Sequence, residues 1–473
     1  MIEADAVAAE RKQGARGQLV ASESPTAALA RFASGLDWSS LTEAERHAAK
    51  RHLLDGLASC IAGSDQPVVR RAADLLADLV PAGDVPVVGS DRRWDLLSAA
   101  YLMGVSCHAL ELDDGNREGS LHPGTTIVPA ILAAAYRFDT DGASALCALV
   151  GGYEVAVSLA EVLHPHAARR GFQTTGVVGV LGAAAAAGRL AGLDATTLER
   201  AIGIGASSSA GIFGYLAGGG NVKKLHPGHA AREGVFAALL AQRAVVEGPL
   251  GIAEVKAGVF EAFGGLSPWK GPAVDHRGGA LAITRSYLKP YPCCRHIHPA
   301  IDALLELRQR HRLDPDRVAR IDVGTYDAAM PHARLGWDSF TVAQLSFPFV
   351  MATAMRTGRV DLESFSETAR RDPAINADAV TVAVATDTQC CASYPKEGPA
   401  RVTVTTTAGE QLSHYVGQPL GAPERPLSDD DLFRKFKGAA KGRLRVEPDA
   451  VIEAVWRLEK EKSVRGLFEQ LGS

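Results

Sequence analysis

The sequence is poor in cysteine, aromatic residues and net charge, and each shortage excludes a class of protein. Seven cysteines among 473 residues are too few for a disulfide framework, and none has the C-x-x-C spacing of a zinc site. Aromatic residues make up 6% and the formal net charge is −4, so neither base stacking nor electrostatics favours nucleic acid as a partner. The thiols are best explained by a reducing, cytoplasmic location.

Long apolar runs and common catalytic signatures are also missing. Every stretch of about 18 apolar residues is interrupted by charged residues or by repeated glycine, and 176–190 comes nearest to an unbroken apolar run. No membrane partner is therefore predicted. The first 24 residues lack the apolar core of a signal peptide, and we expect residues 1–25 to form a flexible tail. The G-x-S-x-G, H-E-x-x-H and G-x-x-x-x-G-K-[ST] patterns do not occur.

The sequence does contain a large apolar fraction arranged in helical periods. Hydrophobic residues make up 47% and charged residues 22%, which is typical of a globular protein with a large core. Ser24 and Pro25 predict the start of a helix, and Thr42 to Glu45 has the form of a capping box. Further helices are predicted over 94–110, 127–138, 142–163, 176–191, 196–210 and 229–246.

The pattern changes near residue 280. Strands are predicted at 282–284, 320–326, 380–384 and 402–405, interleaved with helices at 298–311, 343–356 and 361–371. Helices return at 428–439, 447–459 and 462–471. We therefore predict a mostly α protein with an α+β second domain. A large all-helical domain would span 26–280 and be completed by 424–473, and a smaller α+β lid domain would span 281–423.

Four segments combine polar residues with glycine and proline in ways that core helices do not require. The first, from His108 to Gly124, places Glu111, Asp113 and Asp114 at the end of an apolar helix and His122 on the following loop. Carboxylates there oppose the helix dipole, so catalysis or ligand positioning is one explanation and solvated loop acids are the other.

The second and third segments lie at the starts of helices. Gln173 and Thr174 precede an Ala- and Gly-rich helix, where unpaired N–H groups can bind a carboxylate or be capped by a threonine. Lys223 and His226 follow three glycines and precede another helix. A lysine at that position can bind a carboxylate, and ordinary surface charge is the alternative.

The fourth segment runs from Lys289 to Pro299 and is dense in reactive residue types. It contains Cys293, Cys294, Arg295 and His298, although buried unreactive cysteines are the alternative interpretation. The histidines of the four segments do not have established metal-ligand spacings, so no metal site is predicted. Lysine, histidine and carboxylates without metal suit removal of a proton next to a carboxylate or carbonyl, coupled to elimination, decarboxylation or epimerisation.

Taken in this order, the segments resemble the MmgE/PrpD family, which includes 2-methylcitrate dehydratases, cis-aconitate decarboxylases and iminodisuccinate epimerases. The resemblance covers the chain from about residue 26 onward. It is carried by HALELDDGN…HPG, GFQTTGVVGVLGAAAAAGRLAGLD, KKLHPGHAAREGVFAALLAQ, KPYPCCRHIHPAID and AQLSFPFVMATAMRTGRV. It implies a helical domain completed by the C-terminal helices, an α+β lid, a homodimer and a cofactor-independent site at the domain interface.

Carried over by residue, His122 matches the family's active-site histidine, and Lys223 and Lys289 match its two lysines. Asp113 and Asp114 match the second and third acids of a DFDD-like run. The departures are Glu111 in place of aspartate, Gly115 in place of threonine, and Gln173 and Cys294 where the decarboxylase-like pattern has histidines. The loss of two ionisable groups argues against transferring a named substrate such as cis-aconitate.

The hypothesis is a metal-free lyase, a dehydratase or decarboxylase, acting without a cofactor on a small di- or tricarboxylate. His122 would transfer the proton, Glu111 or Asp114 would fix its tautomer or move the proton onward, and Lys223, Lys289 and Arg295 would hold carboxylates. The other predicted substrate-binding residues are Asp113, Gln173, Thr174, His226, Cys294, His298 and Tyr326. An isomerase or epimerase of a small dicarboxylate is the first alternative, and a non-catalytic carboxylate-binding homologue is the second.

Overall fold

A computed structural model describes residues 24–218, 220–267, 279–334 and 336–471, and these form two compact units. The first unit takes in the described residues up to Ala109, Asp113–Ser286 and the residues from Asp429 onward. The second unit consists of Leu110–Leu112 and Tyr287–Ser428. Except for Ser24 and Pro25, the predicted N-terminal tail lies outside the described residues.

The first unit is helical. In chain order, the α-helices before residue 267 are α1 (Pro25–Gly35), α2 (Glu43–Gly63), α3 (Pro67–Leu79), α4 (Leu96–Cys107), α5 (Gly124–Phe138), α6 (Gly142–Leu163), α7 (His166–Arg169), α8 (Thr174–Leu190), α9 (Ala195–Ala206), α10 (Tyr215–Gly218), α11 (His226–Gln242) and α12 (Val259–Gly264). The predicted caps are confirmed. Ser24 accepts the Ala27 N–H, and Thr42 and Glu45 form both hydrogen bonds of a capping box.

Within the described residues, α6 is long and apolar enough to cross a membrane by length and composition. Its sequence contains a glycine pair and Glu154, which interrupt the apolar run. Of its most apolar window, 89% is buried inside the protein, which is typical of a core helix.

Glycines let the helices of the first unit approach closely. A Cβ added at Gly104 on α4 would lie 2.7 Å from the Cα atom of Gly228 on α11. A Cβ added at Gly182 on α8 would lie 2.7 Å from the carbonyl oxygen of Gly152 on α6. Both distances are too short for any side chain, so glycine is needed at these crossings. The first crossing packs the start of α11 against α4, just before His108.

The second unit contains a four-stranded mixed sheet. Its helices are α13 (His298–His311), α14 (Phe340–Gln344), α15 (Phe347–Thr357), α16 (Glu367–Arg370), α17 (Pro373–Ala379) and α18 (Thr388–Ser393). Its strands are β1 (Val318–Thr325), β2 (Val382–Thr386), β3 (Ala400–Thr406) and β4 (Gln411–Val416), in the order β2-β1-β3-β4. Strand β1 pairs in parallel with β2 and antiparallel with β3, and β3 pairs antiparallel with β4.

The chain then returns to the first unit with α19 (Asp429–Ala440), α20 (Pro448–Trp456) and α21 (Arg465–Leu471). Helix α19 packs on α2 through a buried ion pair, in which Lys435 Nζ lies 2.5 Å from Asp55 Oδ1. Over the described residues, a mostly helical composition with one small mixed sheet confirms the predicted fold class.

Several element predictions are wrong in detail. Residues 282–284 form the 3-10 turn Ala282–Arg285, because the Thr284 N–H and hydroxyl both bond back to the Leu281 carbonyl. The helix predicted over 343–356 is divided into α14 and α15, since Pro348 favours a new helix start. Helix α3 and strand β4 were not predicted, and β2 begins at Val382 rather than residue 380.

The helix predicted over 361–371 is likewise divided. It consists of the 3-10 turn Glu363–Phe365 and the short helix α16. The Ser366 side chain accepts the Ala369 N–H and starts α16 anew, so the helix does not continue through this position.

Candidate active site

His122 lies in the first unit, two residues before α5, and its side chain is 18% exposed. Its Nδ1 atom lies 2.8 Å from the main-chain carbonyl oxygen of Asp114 and 2.9 Å from Asp113 Oδ2. Both neighbours are acceptors, so Nδ1 carries the proton and Nε2 holds the lone pair of the neutral ring. No group in the described parts of the chain hydrogen-bonds Nε2. This imidazole is therefore arranged as a proton acceptor.

Asp113 connects two imidazoles. Its Oδ1 atom lies 3.1 Å from His108 Nδ1, its Oδ2 atom contacts His122, and the two rings are 5.0 Å apart. Asp113 and His108 are both buried. A buried carboxylate at Nδ1 stabilises the imidazolium that forms when Nε2 takes a proton. Asp113 was predicted to bind substrate. In the structure its carboxylate contacts His122 and positions that ring.

The carboxylate of Asp114 is engaged by protein donors. Tyr153 donates to Oδ2 at 2.5 Å, His52 Nδ1 lies 3.0 Å from the same oxygen, and the Gly124 N–H donates to Oδ1 at 2.9 Å. Burial and then the charge of Asp114 raise the pKa of Tyr153, so it stays a phenol donor. The predicted tautomer-fixing role of Asp114 is performed by its main-chain carbonyl, and its carboxylate anchors the loop.

The start of α8 lies against this loop. The His122 N–H donates to Thr175 Oγ1 at 3.0 Å. Thr174 is the first residue of α8, and no threonine caps the helix, because the N-cap is Gln173 and it makes no side-chain cap hydrogen bond. The buried Thr174 Oγ1 has no hydrogen-bond partner within the described residues. The sequence left two interpretations of this segment, a carboxylate site and the capping of α8 by a threonine. The structure contradicts the threonine cap.

Lys223 lies in the turn just before α11, and His226 is the first residue of that helix. Lys223 is 9% exposed and Lys224 is 5% exposed, which removes the interpretation of simple surface charge. Burial, followed by the nearby charges of His108, His229 and Lys223, lowers the pKa of His226 to about 4. His226 is therefore neutral at pH 7, and its Nδ1 donates to the side-chain oxygen of Gln173.

In the second unit, Lys289 and Glu111 form a pair. Lys289 is fully buried, and its Nζ atom donates to the Glu111 carbonyl at 3.1 Å and lies 3.6 Å from Glu111 Oε2. Glu111 has a φ of 54°, a left-handed conformation that costs on the order of 1 kcal/mol for a residue with a side chain. Strain of this kind often accompanies functional sites. Both residues belong to the predicted active site, Glu111 as a partner of His122 and Lys289 as a carboxylate-binding lysine, and the structure places them in direct contact with each other.

Arg295 and His298 contact protein atoms of the second unit. The Arg295 guanidinium donates to the carbonyl oxygens of Leu420 at 2.8 Å and Pro419 at 3.2 Å. It also lies 3.0 Å from His298 Nδ1, and His298 Nε2 lies 3.2 Å from the Cys293 carbonyl. Because His298 is fully buried and both of its ring nitrogens contact protein groups, we assign it a positioning role rather than the predicted contact with substrate.

Cys294 and Tyr326 belong to a cluster with two histidines. Cys294 Sγ lies 3.5 Å from His332 Nε2, and His296 Nδ1 lies 2.7 Å from the Tyr326 hydroxyl. The rings of His296 and His332 stack with centroids 5.7 Å apart. Cys294, His296 and His332 are the side chains in the described residues that could hold a metal ion. By contrast, burial raises the pKa of Cys293 well above its usual range, so that thiol is unreactive.

Gln344 fixes the segment around Cys294. Its side-chain nitrogen donates to the carbonyl oxygens of Leu110 at 2.6 Å and Pro292 at 2.7 Å. The main-chain carbonyl of Gln344 accepts the Cys294 N–H at 2.9 Å. Buried Gln344 therefore ties Leu110, the neighbour of Glu111, to Pro292 and Cys294.

Comparison with known proteins assigns the family. The model of the MmgE/PrpD N-terminal domain matches residues 27–271, more than half of the chain, and that of the MmgE/PrpD C-terminal domain matches 291–460. The chain belongs to the MmgE/PrpD family. A cis-aconitate decarboxylase-like protein of Aspergillus oryzae is 29% identical over 451 residues, covering 88% of this chain and 90% of the relative.

Named decarboxylases within the MmgE/PrpD family are more distant. The cis-aconitate decarboxylase of Aspergillus terreus is 24% identical over 442 residues, covering 88% of this chain and 89% of the relative. The human cis-aconitate decarboxylase is 25% identical over 460 residues, covering 92% of each chain. The alignments span nearly the whole of both proteins, so the relationship is not confined to one domain.

The structure adds residues that the sequence did not single out as site residues. His108 lies inside the first motif of the MmgE/PrpD resemblance, and Gln344 lies inside AQLSFPF. Both could therefore have been predicted as site residues from these motifs. His52, Tyr153 and His332 are in segments without a motif. Their proximity to Asp114 or Cys294 arises only from the packing of elements distant in sequence.

Proposed function

We propose that this MmgE/PrpD protein is a lyase that removes water or carbon dioxide from a small di- or tricarboxylate. The observation that carries the proposal is the state of His122. The Asp114 carbonyl accepts its Nδ1–H, the Asp113 carboxylate lies 2.9 Å from the same nitrogen, and no described residue hydrogen-bonds its Nε2. The relatives named as cis-aconitate decarboxylases support the same reaction class.

In a dehydration, His122 Nε2 accepts the proton from the carbon next to a carboxylate. The electron pair of that C–H bond forms the new double bond, and the hydroxyl on the neighbouring carbon takes a proton from solvent and leaves as water. His122 then releases its proton to solvent. In a decarboxylation, His122 first takes a proton from solvent at Nε2. The electron pair of the broken C–C bond stays on the substrate carbon, carbon dioxide leaves, and the imidazolium gives its Nε2 proton to that carbon. A positioned acid or base of this kind contributes about 10²–10⁴ in rate.

Asp113 stabilises the charged intermediate state of His122. Its carboxylate lies 2.9 Å from Nδ1 and is buried, so its interaction with an imidazolium is weakly screened. The Asp114 carbonyl keeps the same nitrogen protonated throughout. Nε2 is then the atom that gains and loses the proton, in the manner of the base in other carboxylate–histidine pairs.

Lys223 is the cation that we assign to a substrate carboxylate in the first unit. It precedes the start of α11, and the nearby start of α8 provides Thr174 and main-chain N–H groups. A lysine together with a helix N-terminus favours an anion through charge and hydrogen bonds. Lys289 donates to the Glu111 carbonyl and Arg295 to the Leu420 carbonyl, and the contacts of all three cations with substrate stay predictions.

The substrate class is kept broad because two positions depart from the family pattern. Gln173 and Cys294 stand where the decarboxylase-like pattern has histidines, and the amide of Gln173 accepts a hydrogen bond from the neutral ring of His226. The proposed substrates are therefore small carboxylates with an acidic C–H bond or a labile carboxylate group, and cis-aconitate itself is not assigned. The homodimer and the cytoplasmic location stay predictions.

The test is proton NMR of the purified protein in D₂O with citrate, 2-methylcitrate, cis-aconitate, iminodisuccinate, malate and aspartate. Loss of water or carbon dioxide from one of them, absent with heat-denatured protein, is the expected result. Deuterium entering a recovered substrate without elimination would move the assignment to an isomerase or epimerase. Tight binding without turnover across the panel would identify a non-catalytic homologue.

A further inference from the structure

A cluster of three ligand-type side chains lies in the second unit. Cys294 and His296 are two residues apart on the turn that precedes α13. His332 ends the 3-10 helix that follows β1, and it is 38 residues after Cys294. The cysteine sulfur and one nitrogen of each ring all lie within 4.8 Å of one another. Three such donors converge although the sequence contains no recognised metal-binding spacing.

We propose that Cys294, His296 and His332 bind one zinc ion. The distance of 3.5 Å between Cys294 Sγ and His332 Nε2 is the first support. Zinc–sulfur and zinc–nitrogen bonds of about 2.3 and 2.0–2.1 Å in a tetrahedron give a sulfur–nitrogen separation of about 3.5 Å. The Cys294–His332 pair already has this separation, and the ligand atom of His296 lies within 4.8 Å of both, so a movement of the His296 side chain completes the geometry of a zinc site.

The surroundings of His296 are the second support. Its Nδ1 atom lies 2.7 Å from the Tyr326 hydroxyl, and the Tyr326 ring stacks on Tyr394 with centroids 4.2 Å apart. When Nδ1–H donates to this hydroxyl oxygen, the lone pair of His296 is on Nε2. A hydrogen bond that fixes the tautomer and orientation of the ring is the usual neighbour of a zinc-binding histidine.

The exposure of the ligands gives the cation a way in. Cys294 and His296 are partly exposed, whereas His332 is buried. Three protein ligands with access from solvent are typical of zinc sites that keep one coordination position for another ligand. Thiolate and imidazole together favour zinc over magnesium or calcium, which prefer oxygen ligands. The Cys294 thiol loses its proton to solvent as the metal binds.

The fourth position would take a water molecule or a carboxylate oxygen. The carboxylate part of this inference rests on the proposed function, but the zinc site itself does not. Cys294 stands where the decarboxylase-like pattern has a histidine, and a cysteine there provides a stronger zinc ligand in its thiolate form. The cysteine in place of histidine at position 294 therefore adds a metal-binding thiolate as well as removing an imidazole.

The test is a metal-binding measurement on the full chain. Protein stripped with a chelator is dialysed against zinc chloride, and bound metal is measured by plasma mass spectrometry. Titration with cobalt(II) reports directly on the thiolate through its charge-transfer absorption. We expect one zinc per wild-type chain, and loss of the cobalt–thiolate band in Cys294→Ser. Tyr326→Phe should bind zinc about 10–100-fold more weakly, as expected for loss of a hydrogen-bonded neighbour of a ligand.

Matched controls are Cys391→Ser and His311→Gln, a partly exposed cysteine and an exposed histidine of the same unit. Both should bind zinc like the wild type. Less than one tenth of an equivalent of zinc on the wild-type chain would overturn the proposal. Unchanged affinity in Cys294→Ser, His296→Gln and His332→Gln, with unchanged circular dichroism, would overturn it as well. Neither result depends on turnover, so the lyase proposal can fail or hold separately.

Discussion

The imidazoles of the first unit differ in the groups that contact their Nδ1 atoms. At His122 these are a carboxylate and a carbonyl oxygen, so a proton gained at Nε2 is stabilised by the negative charge of Asp113. At His226 the partner is the uncharged amide of Gln173, and the nearby charges are positive. The first ring is suited to accept a proton, and the second is held neutral.

The low pKa of His226 predicts a pH dependence of stability. In the folded protein its pKa is about 4, against 6.5 in the unfolded chain, so between these values the unfolded chain binds the extra proton. The free energy of unfolding should therefore fall as the pH is lowered from about 6.5 towards 4. Urea denaturation should show a shallower fall in His226→Gln than in the wild type. The exposed-site variant His311→Gln should keep the wild-type slope, and equal slopes in all three proteins would refute the assignment.

Residue types at the site were predictable from sequence, but the atoms that make each contact were not. Asp113 and Asp114 are adjacent, and nothing in their order shows which carboxylate turns towards His122. The backbone of the loop decides this, since Asp114 turns its side chain to Tyr153 and its carbonyl to the histidine. Contacts of this kind depend on helices that are distant in sequence.

At the scale of elements, close helix crossings place the residues of the site. Helices α4 and α11 meet where Gly104 and Gly228 face each other, so the main chains touch with no side chain between them. Helix α4 leads into His108, and α11 begins with His226. The crossing therefore sets the separation of these two histidines.

Gly104→Ala should disturb this crossing. The added methyl group would lie 2.7 Å from the Gly228 Cα atom, and overpacking of this kind costs about 1–3 kcal/mol. Thermal unfolding should show a clear fall in Tm. The matched control is Gly438→Ala on α19, where no atom lies within 4 Å of the new methyl group and helix propensity favours alanine by about 1 kcal/mol. A Tm for Gly104→Ala as high as that of the control would contradict the packing argument.

Elements with strong local signals were predictable, and elements defined by their partners were not. The capping box at Thr42 is local, and it is present in the structure. Strand β4 is half exposed at the sheet edge, so its apolar pattern is weak, and it is defined by pairing with β3. The short apolar run at 282–284 is compatible with strand or turn, and the hydrogen bonds of Thr284 select the turn.

At the scale of the whole molecule, the fold class followed from the change in hydrophobic period near residue 280, whereas the sheet order did not. Strands β1 and β2 pair in parallel although α14 to α17 lie between them in the chain. The sequence does not indicate that these two strands are neighbours in the sheet. Nor does it show that Glu111 belongs to the second unit, because Leu110–Leu112 is too short to carry a signal of its own.

The return of the chain to the first unit is secured by charge as well as by apolar packing. Lys435 on α19 and Asp55 on α2 are both buried, and burial raises the pKa of Asp55 while the lysine opposes that shift. A buried charge of this kind is tolerated only with its partner, so the two helices are mutually dependent. The C-terminal helices therefore belong to the architecture that supports His122 and Asp113.

The central claim is that His122 transfers the proton in a lyase reaction. Its most direct test compares wild type, His122→Gln and the control His229→Gln in the same NMR time courses with the carboxylate panel. The account predicts that His122→Gln consumes the substrate about 10²–10⁴-fold more slowly, with an unchanged Tm, while the control stays close to wild type. Turnover by His122→Gln at the wild-type rate would contradict the account.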